Sequence, residues 1–545
     1  MRASLAAIDG APERPVIRVR PQADEVISEA IAALANVAGV FQRGGALVQV
    51  AREPARPTAI NRPAGAPRIE SLREPRILEL LAGAARWAAS RSGTQVLPPR
   101  WAVAGVAARG DYAGIPSLTG VAETPVLRAD GTILARPGYD AATGLLYAPP
   151  VPLSLDIPST PTRDDAARCA RELLEVVQDF PFATATDRAA WVASLLTPLC
   201  RFAFDGPAPL FLIDGNTRGC GKGLSCDVVG LIATGREMTR LAPPERDEEM
   251  EKRITALALA GDSLVLIDNV ASAFGWPSLD AALTGRTWNA RVLGQSRMTG
   301  TLDLAATWYA TGNNVILAAD VVRRVLRIRL ETLDERPEER SAFRHPDLRA
   351  YVRAERPRLL SAALTILRAY CLAGRPAQAV TPWGSFEAWS DLVRSAIVWA
   401  GIGDPAAGRA DYTSQADQEH AILEALVAGL EAMDPTGRGV TVNDVIRRVR
   451  GLPEEALPGL LALRWAVEEV GGEEWSARRI GKRLAKLQRR VVAGRCIERM
   501  ATDAHLGVVR WRAVNVQPQA PAGDDGAGMQ GLAGSIEPCL AHVRD

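Results

Sequence analysis

Lysine is nearly absent. Only four occur in 545 residues, at 222, 252, 482 and 486, so 60 of the 64 basic residues are arginine. With abundant alanine and glycine, this bias has its simplest cause in a GC-rich genome, and it carries no functional information. Cysteine is sparse and unpaired: seven are scattered, no C-x-x-C occurs, and the four histidines do not cluster with them. That excludes a zinc site and a disulfide framework. No apolar run reaches about 18 residues, and no basic-then-apolar leader opens the chain, so a membrane span is not expected and the cytoplasm is the expected compartment. The formal net charge is +1, which excludes a uniformly basic coat; any nucleic-acid surface has to be local. What is present is ample core material, 47% hydrophobic against 23% charged, in a chain long enough for about three to four domains.

The stretch Pro209–Cys226 organises the rest. Leu210–Ile213 is an apolar run of the length of a buried parallel strand. A glycine-rich loop follows, then Lys222, then a helical pattern over Leu224–Ala233. In such a plan backbone N–H groups cradle phosphate oxygens, the helix N-terminus adds its dipole, and the lysine reaches the outer phosphates. The candidate phosphate-binding residues are Gly215, Asn216, Thr217, Arg218, Gly219, Cys220, Gly221, Lys222, Gly223, Leu224 and Ser225. Aligned on Gly221-Lys222, the pattern G-x-x-x-x-G-K-[ST] has Asn216 at its first glycine and Gly223 where a hydroxyl would bind magnesium; Ser225 is the nearest hydroxyl.

Downstream, Asp247–Ala260 reads as a helix and Ser263–Ile267 as a buried strand ending in Asp268-Asn269. An acid at the C-terminal end of a parallel strand stands where ligands bind, so Asp268 is a candidate magnesium ligand, direct or through water. Asn269 occupies the usual place of a catalytic carboxylate; an amide positions water but cannot take its proton. Val292–Ser296 and Thr301–Leu304 flank the turn Arg297-Met298-Thr299-Gly300 and predict a hairpin. Thr307–Ala310 predicts a third core strand, ending in Thr311-Gly312-Asn313-Asn314. An amide there, Asn313 or Asn314, can hold a γ-phosphate or attacking water. Arg323-Arg324 then lead the strand Val325–Leu330, where an arginine can stabilise charge on a neighbouring subunit's nucleotide. Each feature alone also reads as an ordinary turn or solvated strand end; the order of the four makes the functional case.

These ordered motifs, Asn216–Ser225, Leu264–Asn269, the hairpin before Thr311–Asn314, and Arg323-Arg324, resemble those of a superfamily III helicase, the compact AAA+ ATPase of phage, plasmid and viral replication proteins of primase–helicase type. Gly138–Leu146 is similar to the upstream domain of such phage-type proteins. The resemblance implies a homo-hexameric ring threading single-stranded or forked DNA, with ATP and Mg2+ between subunits and a primase or replication initiator as a further partner. It implies Lys222 as phosphate lysine, Asp268 as the Walker B acid, Asn313 or Asn314 as sensor, and Arg323 or Arg324 as a finger acting in trans. It puts Arg297 and Thr299 at a hairpin tip touching DNA.

The expected fold class is multidomain α/β: a central P-loop AAA+ parallel sheet flanked by helices, an N-terminal α+β domain, a helical collar and a C-terminal winged helix. The expected boundaries are 1–148 for the N-terminal domain, where 52–68 reads as a proline- and arginine-rich loop and Pro75–Ser90 as a helix. Linker and collar take 149–205, the ATPase core 206–335, a helical lid and linker 336–416, the winged helix 417–516 and a disordered tail 517–545. In the last folded part, Ser476 to Arg512 carries eleven basic residues against two acids, and Ser476–Leu487 reads as a helix presenting Arg478, Arg479, Lys482, Arg483 and Lys486 to DNA. The expected function is an ATP-dependent DNA helicase or translocase. One rival, favoured by Gly223 and Asn269, is an ATP-binding DNA clamp or platform that hydrolyses weakly or not at all. A small-molecule kinase with the same loop is a second, opposed by the motif order and the basic C-terminus.

Overall fold

The computed structural model describes residues 14–53, 60–270, 274–291, 298–315, 317, 321–334, 336–409, 418–453, 456–472, 475–489, 491–492, 494–500 and 508–515. The chain forms two compact units, Met1–Ala416 and Asp417–Asp545.

A six-stranded sheet organises the first unit. Its five parallel strands are β1 (Leu210–Gly215), β2 (Thr239–Leu241), β3 (Leu264–Val270), β4 (Thr307–Asn313) and β5 (Val325–Leu330), lying side by side in the order β5-β1-β4-β3-β2. Every residue of β1 is buried, as the continuous apolar run requires in a parallel sheet covered on both faces. One face packs Phe211, Ile213, Leu266 and Tyr309 against helices Arg163–Val176, Ala185–Leu199, Lys222–Thr234 and Leu348–Leu372. The other packs Leu212, Val265 and Ile267 against helices Asp247–Ala260 and Pro277–Thr284. Both helices of the stretch expected as linker and collar contribute to this core, Arg163–Val176 through one face and Ala185–Leu199 with Trp191 and Leu195 fully buried.

The sixth strand is Ile60–Asn61, which pairs antiparallel with β2. It lies in the stretch expected as a loop: a two-residue strand between prolines has no period to betray it, and its partner is far away in sequence. The expected helix over Pro75–Ser90 also differs. The helix is Glu74–Ala84, and Arg86–Ala89 turns into a strand parallel to Val16–Val19 with Trp87 and Ala88 buried. A short apolar run fits either element, and the distant partner decides. A hairpin turns at Gly44-Gly45, Phe41–Arg43 pairing with Ala46–Arg52, which also pairs with Pro67–Ser71.

The second unit has helices Gln418–Met433, Val442–Arg450, Pro458–Gly471 and Ala477–Leu487, then an antiparallel sheet of Val491–Val492, Arg495–Arg499 and Trp511–Asn515. Thr441 and Asp444 form a capping box that starts the second helix. Leu430, Val449, Leu463, Val467, Ile480, Leu484, Ile497 and Trp511 make its core. The tail 516–545 lies outside the described residues.

Candidate functional site

The sheet order sets the site. β4 lies between β1 and β3, so the loop after β1, the acid of β3 and the amides ending β4 meet at one edge, where Gly215 pairs with Asn313. Gly215 ends β1 and Gly221 precedes helix Lys222–Thr234. Two glycines make this turn possible. Gly221 has φ 95°, the left-handed region, and a side chain on Gly215 would stand 2.5 Å from Cys220 Sγ and 3.0 Å from Lys222 Nζ. Lys222 Nζ donates to Asn313 Oδ1 at 2.6 Å and to the Thr217 carbonyl at 2.9 Å, which brings the phosphate lysine and a sensor amide together. Arg218 and Gly219 are exposed at the apex, and Cys220 is buried beneath it.

Asn216 stands at the first glycine of the motif, and its amide has a structural task. It donates to the Thr332 carbonyl at 2.7 Å and accepts the Thr332 N–H at 3.3 Å, tying the loop to the chain beyond β5. Asn314 is similarly engaged. It sits at φ 48°, donates its N–H to the Gly215 carbonyl, and its Oδ1 accepts from Arg329 at 2.8 Å. Of the two amides, Asn313 faces the lysine.

Asp268 and Asn269 occupy a bulge. The β3–β4 register shifts between Ile267 and Val270, so two residues stand opposite Thr311 alone. Thr311 Oγ1 donates to Asp268 Oδ1 at 2.6 Å and accepts the Asn269 N–H at 2.9 Å. Asp268 is half-exposed, whereas the Asn269 side chain is exposed and its backbone has φ 60°. Asp268 Oδ2 meets Arg240 of β2 at 3.1 Å, and Arg240 also bridges to the buried Asp227. Burial opposes the Arg240 charge, but Asp227, Asp268 and Glu237 outweigh it and hold its pKa above the usual value.

A further ion group lies one residue before the loop. Asp214 is fully buried, and its Oδ2 is shared by Arg327 and by Arg329, the latter at 2.7 Å; its Oδ1 accepts the Val315 N–H. Burial also opposes the Arg329 charge, but its bond to Glu331 and the Asp214 carboxylate raise its pKa. The sequence reading missed Arg240, Thr311, Asp214, Arg327 and Arg329 as a group. An acid inside the apolar strand Leu210–Ile213-Asp214 and the same-face spacing of Arg327 and Arg329 were the available signals.

The remaining expected residues are dispersed. Ser225 is buried at 1% exposure, and its hydroxyl has no hydrogen-bond partner among the described residues. At Gly223 an added Cβ meets nothing within 4 Å. Arg323 and Arg324 precede β5 at the end opposite the loop, because Val325 pairs with Leu210 and Leu330 with Gly215. A six-residue strand spans roughly 20 Å, so neither arginine stands beside its own loop. Arg323 is exposed, while Arg324 pairs with Asp280 at 3.1 Å. The hairpin's described strands are Thr287–Trp288 and Leu302–Asp303; the expected strand Val292–Ser296 and the tip residue Arg297 lie outside the described residues. Thr299 is 7% exposed and belongs to the stem, bonded to Ala290 both through its N–H and through its hydroxyl. In the second unit, helix Ala477–Leu487 buries Ile480, Leu484 and Leu487 and exposes Arg478, Arg479 and Lys482; Arg483 is half-buried, and Lys486 lies in the same helix.

A mostly parallel sheet with a glycine loop leading from a central strand into a helix is compatible with a P-loop domain. No family model matches the chain, and no curated protein matches its sequence. Among solved structures it is similar to the NrS-1 C-terminal region, at 12% identity and TM-score 0.39 over 83% of this chain and 92% of that one. It is also similar to SCCmec type IV Cch, titled an active helicase, at 11% identity and TM-score 0.31 over 88% and 98%. A third is JCV helicase, at 13% identity and TM-score 0.21 over 47% and 69%. Among the described residues no helix is long and apolar enough to cross a membrane.

Proposed function

We propose that the protein is an ATP-dependent DNA helicase or translocase of the AAA+ superfamily III type, working as a homo-hexameric ring in the replication of a phage, prophage or plasmid. The observation that carries this is the meeting of Lys222 and Asn313 at 2.6 Å, with Asp268 fixed by Thr311 on the same strand as Asn313. A lysine, an amide and an acid on neighbouring strand ends are what phosphoryl transfer to water needs: a cradle for the outer phosphates, a group to place water, and a carboxylate beside the metal. The distance of Arg323 from its own loop supports its action on a neighbour's nucleotide. Arg324 is the lesser candidate, being held by Asp280.

Magnesium prefers few protein ligands and keeps several waters, and the residues fit that requirement: a half-exposed Asp268 supplies a hard oxygen, already oriented, and no second protein oxygen stands at Gly223. Asp268 would hold the ion, which would neutralise charge on the phosphates. Around it Lys222 binds the phosphates, Asn313 orients water, and Arg240 balances Asp268 when no metal does. Replacing Thr311 with valine keeps shape and frees the acid. The expected result is turnover reduced about 10–100-fold with ATP affinity held, read by steady-state kinetics against equilibrium nucleotide binding.

The second unit would contact DNA as a winged helix, with Ala477–Leu487 as the reading helix. If Arg478 and Lys482 meet phosphates, each alanine substitution will weaken binding similarly across sequences and lower the salt slope by about 1. Fluorescence anisotropy over a salt series measures this; unchanged slopes would remove the helix from the interface.

A second reading has its own observation. Asn269 presents an exposed amide where a base is usual, and Gly223 carries no hydroxyl, which suits an ATP-binding DNA platform with little or no turnover. ATP hydrolysis with and without single-stranded DNA, together with sedimentation in nucleotide, separates the readings. DNA-stimulated turnover by rings supports the motor; nucleotide binding without turnover supports the platform.

A further inference from the structure

The N-terminal hairpin ends in Arg43-Gly44-Gly45, and this tip reaches into the ATPase core. Arg43 is 7% exposed. Its guanidinium donates to the carbonyls of Ala258 at 2.7 Å and Leu259 at 3.3 Å, in the last turn of helix Asp247–Ala260. The same group donates to the Asp303 carbonyl at 2.9 Å, on the returning strand of the hairpin 287–303. A helix C-terminus attracts a cation, and the orphan carbonyls there need donors. Burial nevertheless lowers the arginine's pKa, the charge of Asp303 opposing it only in part, which marks a costly placement.

Two glycines interlock beside it. At Gly44, with φ 54°, a Cβ would stand 2.7 Å from Leu302 Cδ2; at Gly300 a Cβ would overlap the Gly44 carbonyl oxygen. Two further contacts grip the same corner. Ile69 packs where Gly261 ends the helix, and Arg62 holds Asp262, its Nε 3.0 Å from both carboxylate oxygens and its Nη2 2.8 Å from Oδ2. From Asp262 the chain enters β3 and arrives at Asp268.

We propose that Arg43 is a strut joining the acid strand's supporting helix to the base of the hairpin 287–303, so that the N-terminal domain positions that hairpin and couples it to the nucleotide site. Arg43 is a positioning residue: its guanidinium holds backbone carbonyls on two elements. The coupling half of this inference rests on the motor reading above, whereas the strut does not.

The test uses the full chain with Arg43→Ala, and with Arg43→Lys as a milder variant that offers one charge to carbonyls on two elements. Amide hydrogen exchange is followed at Thr299 and Leu304, whose N–H groups bond the Ala290 and Arg286 carbonyls in the hairpin. Exchange at both should quicken about tenfold or more in Arg43→Ala, less in Arg43→Lys, with β1 unchanged. Unchanged exchange at Thr299 and Leu304 overturns the strut. In parallel, DNA-independent ATP turnover should stay within about twofold while stimulation by single-stranded DNA falls about fivefold or more. A merely structural arginine would lower stability and leave the stimulation ratio intact, and that result overturns the coupling. A wild-type chain without DNA-stimulated turnover refutes the motor and the coupling together, and the exchange result still decides the strut.

Discussion

Lys222→Ala will reduce ATP turnover about 10²–10³-fold. Its ammonium is the one lysine charge at the loop, and its Nζ contacts, the Thr217 carbonyl and Asn313 Oδ1, lie on the side where outer phosphates would bind. Bound phosphate competes with those two acceptors for the ammonium, so the side chain has somewhere to rest when the loop is empty. Alanine removes the charge that offsets the phosphates as the bond breaks. The fold should survive, because Lys222 is half-exposed and the partners it leaves can be hydrated. Lys222→Arg should fail to rescue, since a planar fork does not reproduce a compact ammonium in a glycine cradle. Steady-state hydrolysis with circular dichroism as the folding control measures both. Turnover that persists in Lys222→Ala would place the chemistry elsewhere.

Asp214→Asn will destabilise the first unit by about 3–5 kcal/mol. The carboxylate is fully buried and is shared by Arg327 and Arg329, so an amide removes the buried countercharge between two guanidinium groups, of which Arg329 keeps the exposed Glu331. The effect should also reach the site. Arg329 holds Asn314, Asn314 donates to Gly215, and Gly215 pairs with Asn313. Nucleotide affinity should therefore fall alongside stability, whereas a substitution at the exposed Arg218 should move affinity alone. Urea denaturation followed by tryptophan fluorescence reads the first effect and equilibrium nucleotide binding the second. A midpoint unchanged from wild type would show that the two arginines find other partners.

The core strands were legible because each satisfies its demand locally. Leu210–Ile213 and Thr307–Ala310 are largely apolar runs, Val325–Leu330 alternates apolar residues with Arg327 and Arg329, and all three appear in the sheet, the first two extended by the residues that carry the site. Helix Asp247–Ala260 begins on three acids and ends on Gly261, and its ends match the expectation. What stayed hidden depends on partners distant in the chain. Arg240 gains meaning only when β2 falls beside β3. Asp214 looks like a strand end until β5 brings Arg327 and Arg329 against it. Thr299 reads as a tip residue until the stem closes around Ala290. The bulge at Asp268 has no local signature, since it arises from the mismatch of β3 against β4.

The edge strand Ile60–Asn61 sets a schedule for making this protein. It leaves the ribosome about 180 residues ahead of its partner, Arg240-Leu241. At 5–20 residues per second that is a wait of roughly 10–35 s, during which the N-terminal hairpin can already have closed, while Ile60 and the buried Arg43 have nothing to dock on. The early half of the chain is thus a half-built joint, stable in its own core around Val26, Leu81 and Trp87 but with an unfinished face until β3 and the hairpin emerge. Slower synthesis would lengthen that exposure, and a holdase that covers this face would be most useful in that interval.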